Sequence, residues 1–557
     1  MKVEMKKKSA SQSAFFNPRV LLCLAIFFIG ILLTLLATVN PQDLARERAR
    51  QVTPHMDNAT QVVSASAGGV QEGWVARYNG PGNGVDRPAA IAIDTSGNVY
   101  VTGTSLGSDT GNDYTTIKYD SGGQEVWIAR YNGPANDDDQ AYAISLDASG
   151  NVYVTGESLG LDTGYDYATV KYNCAGQEQW VARYNGPGME RTFDGATAIA
   201  VDESGNAYVT GTSSSDLTGE DYATIKYNSA GQPQWVARYT RSFDVYSSDE
   251  ATAITVDSLG NIYVTGATTA DGGSANSDYT TVKYDSMGQQ QWAVSYDGPA
   301  DGYDFPNAIA IDSSGELYVT GFSLGLAGDF DCTTIKYNSA GEQQWVARYD
   351  GPGNLDDSGE AISVDASNNV YVTGGSFGPD NFDYATIKYN PDGEQAWVAR
   401  YEGPWDDFAQ AISTDRSGNV YVTGYSIDTS AGDSHYTTIS YDSNGLEQWV
   451  ASYDGPGNSY DAAAAIAVDD SGNVYVTGMS IGAGTNYDYA TIKYVESTSS
   501  PTPTPTSTAT VTPTPTPAVT PTPTATVTPT PTPTPTPTAS PRQRPTPRPR
   551  PTPPPRP

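Results

Sequence analysis

Three observations predict an all-β fold of the β-propeller class. A block of 50–57 residues recurs eight times between residues 70 and 495. Each block contains four short runs rich in Val, Ile, Tyr, Thr and Trp, the residues that suit a pleated sheet. No helical periodicity interrupts them. Four strands in each unit of a tandem array is the pattern of propeller blades.

The first motif of the block predicts two strands joined by a tight turn. It reads Ala-Ile-x-x-Asp-x-Ser-Gly-Asn-x-Tyr-Val-Thr-Gly, and in the second block it places strands at Ala143–Leu146 and Val152–Gly156. The Asp side chain can bond its own backbone, and Gly accepts a positive φ, so the centre of the motif favours a hairpin turn. The motif has its Asp at Asp94, Asp147, Asp202, Asp257, Asp312, Asp365, Asp415 and Asp469.

Two further motifs predict the third and fourth strands. In the second block these strands are expected at Tyr167–Tyr172 and Trp180–Tyr184. The motif Asp-Tyr-x-Thr-Ile-Lys-Tyr begins at Asp113, Asp166, Asp221, Asp278, Asp331, Asp383, His435 (in place of Asp) and Asp488. The motif Trp-Val-Ala-Arg-Tyr centres on Trp74, Trp127, Trp180, Trp235, Trp292, Trp345, Trp397 and Trp449.

The phase of the repeats predicts how the ends of the array meet. The first element is a lone fourth strand at Trp74–Tyr78, and the last is a third strand at Tyr489–Tyr494. We therefore expect a single propeller of eight four-stranded blades, closed by the N-terminal strand pairing with the last blade. We also expect the Arg that recurs in the fourth strand to protect the outer edge of each blade.

The first motif resembles the SBBP family of bacterial β-propeller repeats and, more distantly, NHL repeats. The resemblance covers about residues 74–494 and recurs in every block. The family name refers to seven blades, whereas eight blocks are counted here. The resemblance implies an extracytoplasmic or surface setting and no defined activity, because propellers host many functions.

The ends of the chain predict export and a stalk. Several Lys precede an apolar stretch at Val20–Val39, so residues 1–40 are expected to be a signal peptide or an N-terminal transmembrane anchor. Either one places the rest of the chain outside the cytoplasm, membrane-anchored or secreted. Residues 41–70 then form a linker, 71–496 the propeller, and 497–557 a Thr/Pro-rich disordered stalk of polyproline II character.

Composition excludes several functions. The net charge of −34 repels phosphate backbones, so no nucleic-acid partner is expected. Two His rule out a multi-His metal site, and three Cys in unrelated places form no disulfide framework. No nucleophile elbow, zinc-protease motif or phosphate loop occurs.

The leading interpretation is a monomeric, non-enzymatic binding or scaffold module for a surface glycan or protein. One alternative is an extracellular carbohydrate-active hydrolase or lyase that uses loop carboxylates, and another is a purely structural surface protein. Whether the chain is an enzyme stays open, and no cofactor is required, although Ca²⁺ suits acidic loops.

An Asp stands five residues before the Ile of every first strand. Because it recurs in all eight blocks, we expect it to accept backbone N–H groups where the connection between blades enters the strand. The alternative is a ring of carboxylates that holds a cation near the channel mouth. These residues are Asp86, Asp139, Asp194, Asp249, Asp304, Asp357, Asp407 and Asp461.

Residues that break the repeat symmetry are the candidates for a binding site, since a single ligand needs one copy. All fall in the loops expected on one face, and Trp405 stands out as the Trp outside the repeated position. The ligand-binding candidates are Trp405, Arg87, Arg191, Arg241, Tyr303 and His435. The candidates for Ca²⁺ are the extra loop acids Asp137, Asp138, Asp356 and Asp406.

Overall fold

The computed structural model describes residues 69–188, 192–241, 247–269, 276–428 and 432–496. The predicted export segment at 1–40, nearly all of the linker at 41–70, the stalk at 497–557 and Arg191 lie outside them. Within these ranges no helix is long and apolar enough to cross a membrane. Cys174 and Cys332 are both free thiols.

The described residues form 32 strands, which fall into eight groups of four. We number the groups sheet 1 to sheet 8, and β1 belongs to sheet 8. The strands of sheets 1–4 are β2(Asp86–Ile93), β3(Val99–Leu106), β4(Asn112–Tyr119) and β5(Glu125–Tyr131); β6(Asp139–Leu146), β7(Val152–Leu159), β8(Gly164–Tyr172) and β9(Glu178–Tyr184); β10(Thr192–Val201), β11(Ala207–Ser215), β12(Gly219–Tyr227) and β13(Pro233–Tyr239); β14(Asp249–Val256), β15(Ile262–Thr269), β16(Ser277–Tyr284) and β17(Gln290–Tyr296). Those of sheets 5–8 are β18(Asp304–Ile311), β19(Leu317–Leu324), β20(Phe330–Tyr337) and β21(Gln343–Tyr349); β22(Ala361–Val364), β23(Val370–Phe377), β24(Phe382–Tyr389) and β25(Gln395–Tyr401); β26(Asp407–Thr414), β27(Val420–Ile427), β28(Ser434–Tyr441) and β29(Glu447–Tyr453); β30(Asp461–Val468), β31(Val474–Ile481), β32(Tyr487–Glu496) and β1(Val70–Tyr78).

Within each sheet the strands pair antiparallel in chain order. The N-terminal strand β1 pairs with β32, so sheet 8 has the order β30-β31-β32-β1. Sheets 2 and 3 are also joined, because Thr192 and Phe193 of β10 pair in parallel with Gly164 and Tyr165 of β8. The all-β prediction is thus confirmed, with serial four-stranded sheets of the propeller type.

The second and third strands of each sheet are almost fully buried. Val99, Tyr100 and Val101 of β3 are all completely buried, and so is Ile117 of β4. The fourth strands consist mostly of exposed and half-buried residues, as expected for the outer edge of a sheet. The turn motif joins the first two strands as predicted: Asp94 Oδ1 accepts the amides of Ser96 and Asn98 at 2.9 Å.

The hydrophobic core lies between neighbouring sheets. Eight clusters of buried residues occur in the described chain, and each contains residues from two consecutive sheets. One of them joins sheet 8 to sheet 1, with Trp74 of β1 packed against Tyr119 and Tyr475 at ring distances of 6.0 Å. The first strand of each sheet contacts that of the next sheet, and β30 contacts β2.

Candidate functional site

Among the described residues, the predicted symmetry-breaking positions lie at one end of the sheets, with Arg87 and His435 on β2 and β28 rather than in loops. There the turns between second and third strands meet the connections between successive sheets; we call this end the loop face. The two kinds of loop are bonded to each other, since the side chain of Asn136 donates to the carbonyl of Asp109 at 3.1 Å. The other end carries the short Asp-x-Ser-Gly-Asn turns and the turns between third and fourth strands.

The repeated Asp, which lies within the first strand of every sheet except sheet 6, is buried at the loop face with exposed fractions of 0–1%. In sheet 1, Asp86 Oδ2 accepts the amide of Gly80 at 2.6 Å and Oδ1 accepts that of Leu106 at 3.2 Å. All eight carboxylates accept a backbone amide from the connection that precedes them. These carboxylates therefore hold the connections to the sheets.

Burial makes several of these carboxyls weaker acids than an ordinary Asp. It raises the pKa of Asp139, Asp357 and Asp407 to about 6, and that of Asp249 to about 7, although backbone and hydroxyl donors oppose the shift. The turn carboxylates behave differently. For Asp94, burial is outweighed by the hydrogen bonds from Asn98 and Tyr100, which lower its pKa.

The Arg of the fourth strand ties adjacent sheets together at the loop face. Arg130 donates to the hydroxyls of Tyr78 (2.8 Å) and Ser105 (3.0 Å) and forms an ion pair with Asp113 at 2.9 Å. These arginine side chains are only 15–23% exposed. The arginines therefore connect neighbouring sheets, a role that the expectation of edge protection did not include. The same network surrounds Arg77, Arg183, Arg238, Arg348 and Arg400.

Sheet 4 lacks the repeated Arg and replaces it from a loop. Ser295 occupies the Arg position of β17, and Arg241 reaches in to pair with Asp278 of β16. The carboxylates of Asp278, Asp297 and Asp304 lie within 4.8 Å of one another at this point. Arg241, a predicted ligand contact, is thus engaged in an internal ion pair beside a carboxylate cluster that the sequence analysis missed.

Sheet 7 lacks both members of the repeated pair. Ser452 stands in the Arg position, and His435 stands in the Asp position. His435 Nδ1 lies 2.8 Å from Asp428 Oδ2, and its side chain is 17% exposed. This candidate therefore sits at the loop face with an acidic partner.

The predicted Ca²⁺ ligands bond to backbone amides instead of converging on one point. Asp138 Oδ1 accepts the amide of Asn112 at 3.2 Å, Asp356 Oδ1 that of Phe330 at 3.1 Å, and Asp406 Oδ1 that of Phe382 at 3.0 Å. Each bond ties the connection after one sheet to the start of the third strand of that sheet. Asp137 Oδ1 accepts the amide of Asp138.

Six aromatic rings form a continuous row across sheets 6, 7 and 8 at the loop face, which we call the aromatic row. Successive ring centroids are 4.8, 5.4, 5.2, 5.8 and 6.0 Å apart. Five of the rings are half-buried and Tyr425 is 7% exposed. In order, the row is Phe377, Phe382, Phe408, Tyr425, Tyr460 and Tyr487.

Trp405 lies in a loop tied to this row. Its side chain is 45% exposed. The side-chain amide of Asn381 donates to its carbonyl, and the next residue, Asp406, binds the amide of Phe382. The structure therefore connects Trp405 with the aromatic row, which sequence reasoning overlooked because the rings of the row come from three different blocks.

Arg87 and Tyr303 occupy other parts of the loop face. Arg87 is exposed on β2, and among the arginines in the described ranges it is the one without a hydrogen bond or ion pair in the structure. Tyr303 is 40% exposed in the connection before β18. These two residues thus lie in sheets 1 and 5, outside the aromatic row.

A second unpredicted feature is a buried acid in sheet 2. Glu157 is 7% exposed and accepts a bond from Gln140 Nε2 at 3.1 Å. Burial raises its pKa to about 7, against a hydrogen bond from Tyr142. The equivalent residue of sheet 1 is Thr104. The departure of Glu157 from the repeat is therefore the signal by which the sequence could have revealed this acid.

Comparison with known families identifies the repeat. The model of the SBBP family, described as "Beta-propeller repeat", matches residues 73–109, 126–161, 195–218, 234–274, 396–430 and 455–484. This match confirms the resemblance drawn from the first motif. No curated protein matches the chain.

Solved structures of low sequence identity resemble the chain. Sqt1 from Chaetomium thermophilum is 10% identical, covers 77% of this chain and 100% of its own, and has a TM-score of 0.47. The periplasmic gluconolactonase PpgL of Pseudomonas aeruginosa is 15% identical over 65% of this chain and 97% of its own, at 0.42. An ulvan lyase of a polysaccharide lyase family is 13% identical over 75% and 95%, at 0.40. Similarities of this size assign no activity.

Proposed function

We propose that this chain, which is built from SBBP β-propeller repeats, is a non-enzymatic binding or scaffold module that acts outside the cytoplasm. In this proposal sheets 1–8 are the eight blades of one propeller, and β1 completes the last blade. The pairing of β1 with β32 and the core cluster between sheets 8 and 1 support it. The extracytoplasmic setting rests on the predicted export segment at residues 1–40 and on the setting implied by the family resemblance.

The aromatic row is the observation that carries the binding role. Blade packing does not require an aromatic ring at the position of Phe408, because sheets 1–4 and 8 have Arg87, Gln140, Gly195, Glu250 and Ala462 there, whereas sheet 5 has Phe305. Partly exposed aromatic rings supply large contact areas at little cost in side-chain entropy. A row of them on one face therefore suits the centre of an interface with a glycan or protein partner.

A binding array tests this proposal. The labelled full-length protein is applied to printed glycans and peptides, and we expect at least one class to be retained. Phe382→Leu, which keeps an apolar side chain but removes a ring, should weaken retention about tenfold. The control Leu446→Ala alters an exposed apolar residue of sheet 7 at the opposite end, and should change nothing. No retention of any probe, or equal loss in both variants, contradicts the proposal.

The proposed location has its own test. Protease added to intact cells should cleave the chain if it lies outside the cytoplasm, and a cytoplasmic marker should survive. Protection of both proteins until the cells are lysed would contradict an extracytoplasmic location.

Glu157 favours a second candidate function, hydrolysis or elimination on a polysaccharide. A carboxyl with a pKa near 7 suits general acid catalysis at neutral pH. Tyr142 beside it is 37% exposed, so the group lies near solvent. Depolymerisation of a polysaccharide panel that is lost in Glu157→Gln and kept in Glu203→Gln, an exposed turn residue at the other end, would favour this enzyme over the binding module.

A further inference from the structure

The loops around the aromatic row carry a net negative charge. The segments 378–381, 402–406, 428–433, 454–460 and 482–486 contain six Asp or Glu and no Lys or Arg. Four of these acids are exposed: Asp380, Glu402, Asp428 and Asp454. We call these four residues the acidic rim. Two basic side chains of the described residues pair with the rim: His435 Nδ1 lies 2.8 Å from Asp428 Oδ2, and Arg400 Nε lies 4.0 Å from Glu402 Oε1.

The chemistry of the row complements that of its rim. The faces of Phe and Tyr rings attract cations, most often the guanidinium of Arg. Carboxylates beside the rings add charge-assisted hydrogen bonds to the same group. The net negative charge of the rim disfavours an anionic ligand, and a neutral glycan would use the rings but leave Asp380 and Asp454 without a charged partner.

The spacing of the rings fits an extended peptide. In an extended chain, alternate side chains on one side lie about 6.6 Å apart. Ring centroids in the row follow at 4.8–6.0 Å. Arg side chains at alternate positions of such a peptide are thus spaced only slightly more widely than the rings, and the half-buried rings, which exclude Tyr425, are the ones open to contact.

We infer that the partner bound by the aromatic row is an Arg- or Lys-rich peptide segment of another protein. This inference rests on the proposed binding function and adds the chemical class of the ligand. Rings and rim together give selectivity: the rings accept the flat guanidinium, and the carboxylates reject negatively charged competitors.

Fluorescence anisotropy with the full-length protein tests the inference. The probe is a labelled peptide that alternates Arg and Ser, compared with a peptide of equal length that alternates Glu and Ser and with a labelled neutral oligosaccharide. We expect the Arg peptide to bind most tightly. We expect its affinity to fall at least about fivefold from low to high salt, because rim contacts are exposed and screened.

Two double variants compare the loop face of sheet 6 with the opposite end of the same sheet. Asp380→Asn with Glu402→Gln removes two rim charges of the loop face, and should weaken the Arg peptide about three- to tenfold. Asp392→Asn with Glu394→Gln makes the same charge change on exposed residues at the opposite end of sheet 6, and should have no effect. Because these four side chains are exposed, the variants should fold normally. Phe382→Leu should reduce binding further.

The possible outcomes distinguish this inference from the proposed binding function on which it rests. Equal affinity for the Arg and Glu peptides, or equal loss in the two charge variants, would overturn the inference. Binding of the neutral oligosaccharide that depends on Phe382, without binding of the Arg peptide, would overturn the inference and keep the binding function. If no probe binds in a way that depends on Phe382, both fail.

Discussion

Removal of Arg241 should destabilise the propeller far more than removal of an ordinary surface arginine. Asp278 is 5% exposed, and Arg241 is its ion-pair partner because Ser295 replaces the repeated Arg. In Arg241→Ala the buried carboxylate would face Asp297 and Asp304 alone. Breaking a buried ion pair costs about 3–5 kcal/mol. Since the Arg241 side chain is 25% exposed, we expect about 2–4 kcal/mol.

A second substitution should reverse this loss. Ser295→Arg restores the residue found in six of the eight sheets, whose Arg–Asp distances are 2.6–3.0 Å. In the Arg241→Ala background it should recover at least about half of the lost stability, whereas alone it should change stability by less than about 1 kcal/mol, because Asp278 is already paired.

Urea unfolding at neutral pH, followed by tryptophan fluorescence, measures both effects. Arg416→Ala is the matched control: Arg416 pairs with Asp470 at 2.8 Å, but its side chain is 82% exposed, so the cost should stay below about 1 kcal/mol. The reasoning is refuted if Arg241→Ala costs no more than this control, or if Ser295→Arg recovers nothing.

Three further perturbations have defined outcomes. Gly123→Ala should lower the free energy of unfolding by about 2 kcal/mol more than Gly472→Ala does. Both glycines have φ near +80°, but a Cβ at 123 would lie 2.5 Å from the Trp74 ring, whereas at 472 nothing lies within 4 Å. Equal losses in chemical denaturation would contradict this. Deletion of Val70–Tyr78 should lower the Tm by more than about 10 °C, because β32 and the core between sheets 8 and 1 lose their partner, and an unchanged calorimetric Tm would argue against closure by β1. Burial raises the pKa of carboxyls such as Asp249, to about 7, above the ordinary value near 4. Such a carboxyl stabilises the fold fully below about pH 4 and loses this contribution as the pH rises to 7, so the Tm at constant salt should be higher at pH 5 than at pH 8. A lower Tm at pH 5 would refute the assignment.

Predicting the strands from the sequence worked because each is encoded locally. The runs expected at Ala143–Leu146 and Tyr167–Tyr172 lie inside β6 and β8, which begin earlier, at Asp139 and Gly164. The missed residues extend the strands toward the loop face. They are held by partners farther along the chain, since Asp139 pairs with Ser158 of β7 and Gly164 pairs with Thr192 of the next sheet. Period-two patterning cannot reveal such partners.

The candidate site was predicted less well. Trp405 was found because it departs from the repeat, and it proved to be linked to the aromatic row. The row itself could not be seen in the sequence, because Phe377 and Tyr487 are far apart along the chain and are linked only through ring contacts between neighbouring sheets. Arg241 also departs from the repeat, but only the structure showed that it compensates for Ser295.

The sequence by itself determined the repeat, the four strands within each block and the turn carboxylates, since these depend on residues close together in the chain. The tertiary structure decided which symmetry-breaking residues meet. Arg241 forms an internal ion pair, Glu157 is a buried acid, and Phe382 belongs to the aromatic row. The physical reason is that each of these roles depends on contacts between loops or sheets, and pairing across such distances is set by packing rather than by local propensity.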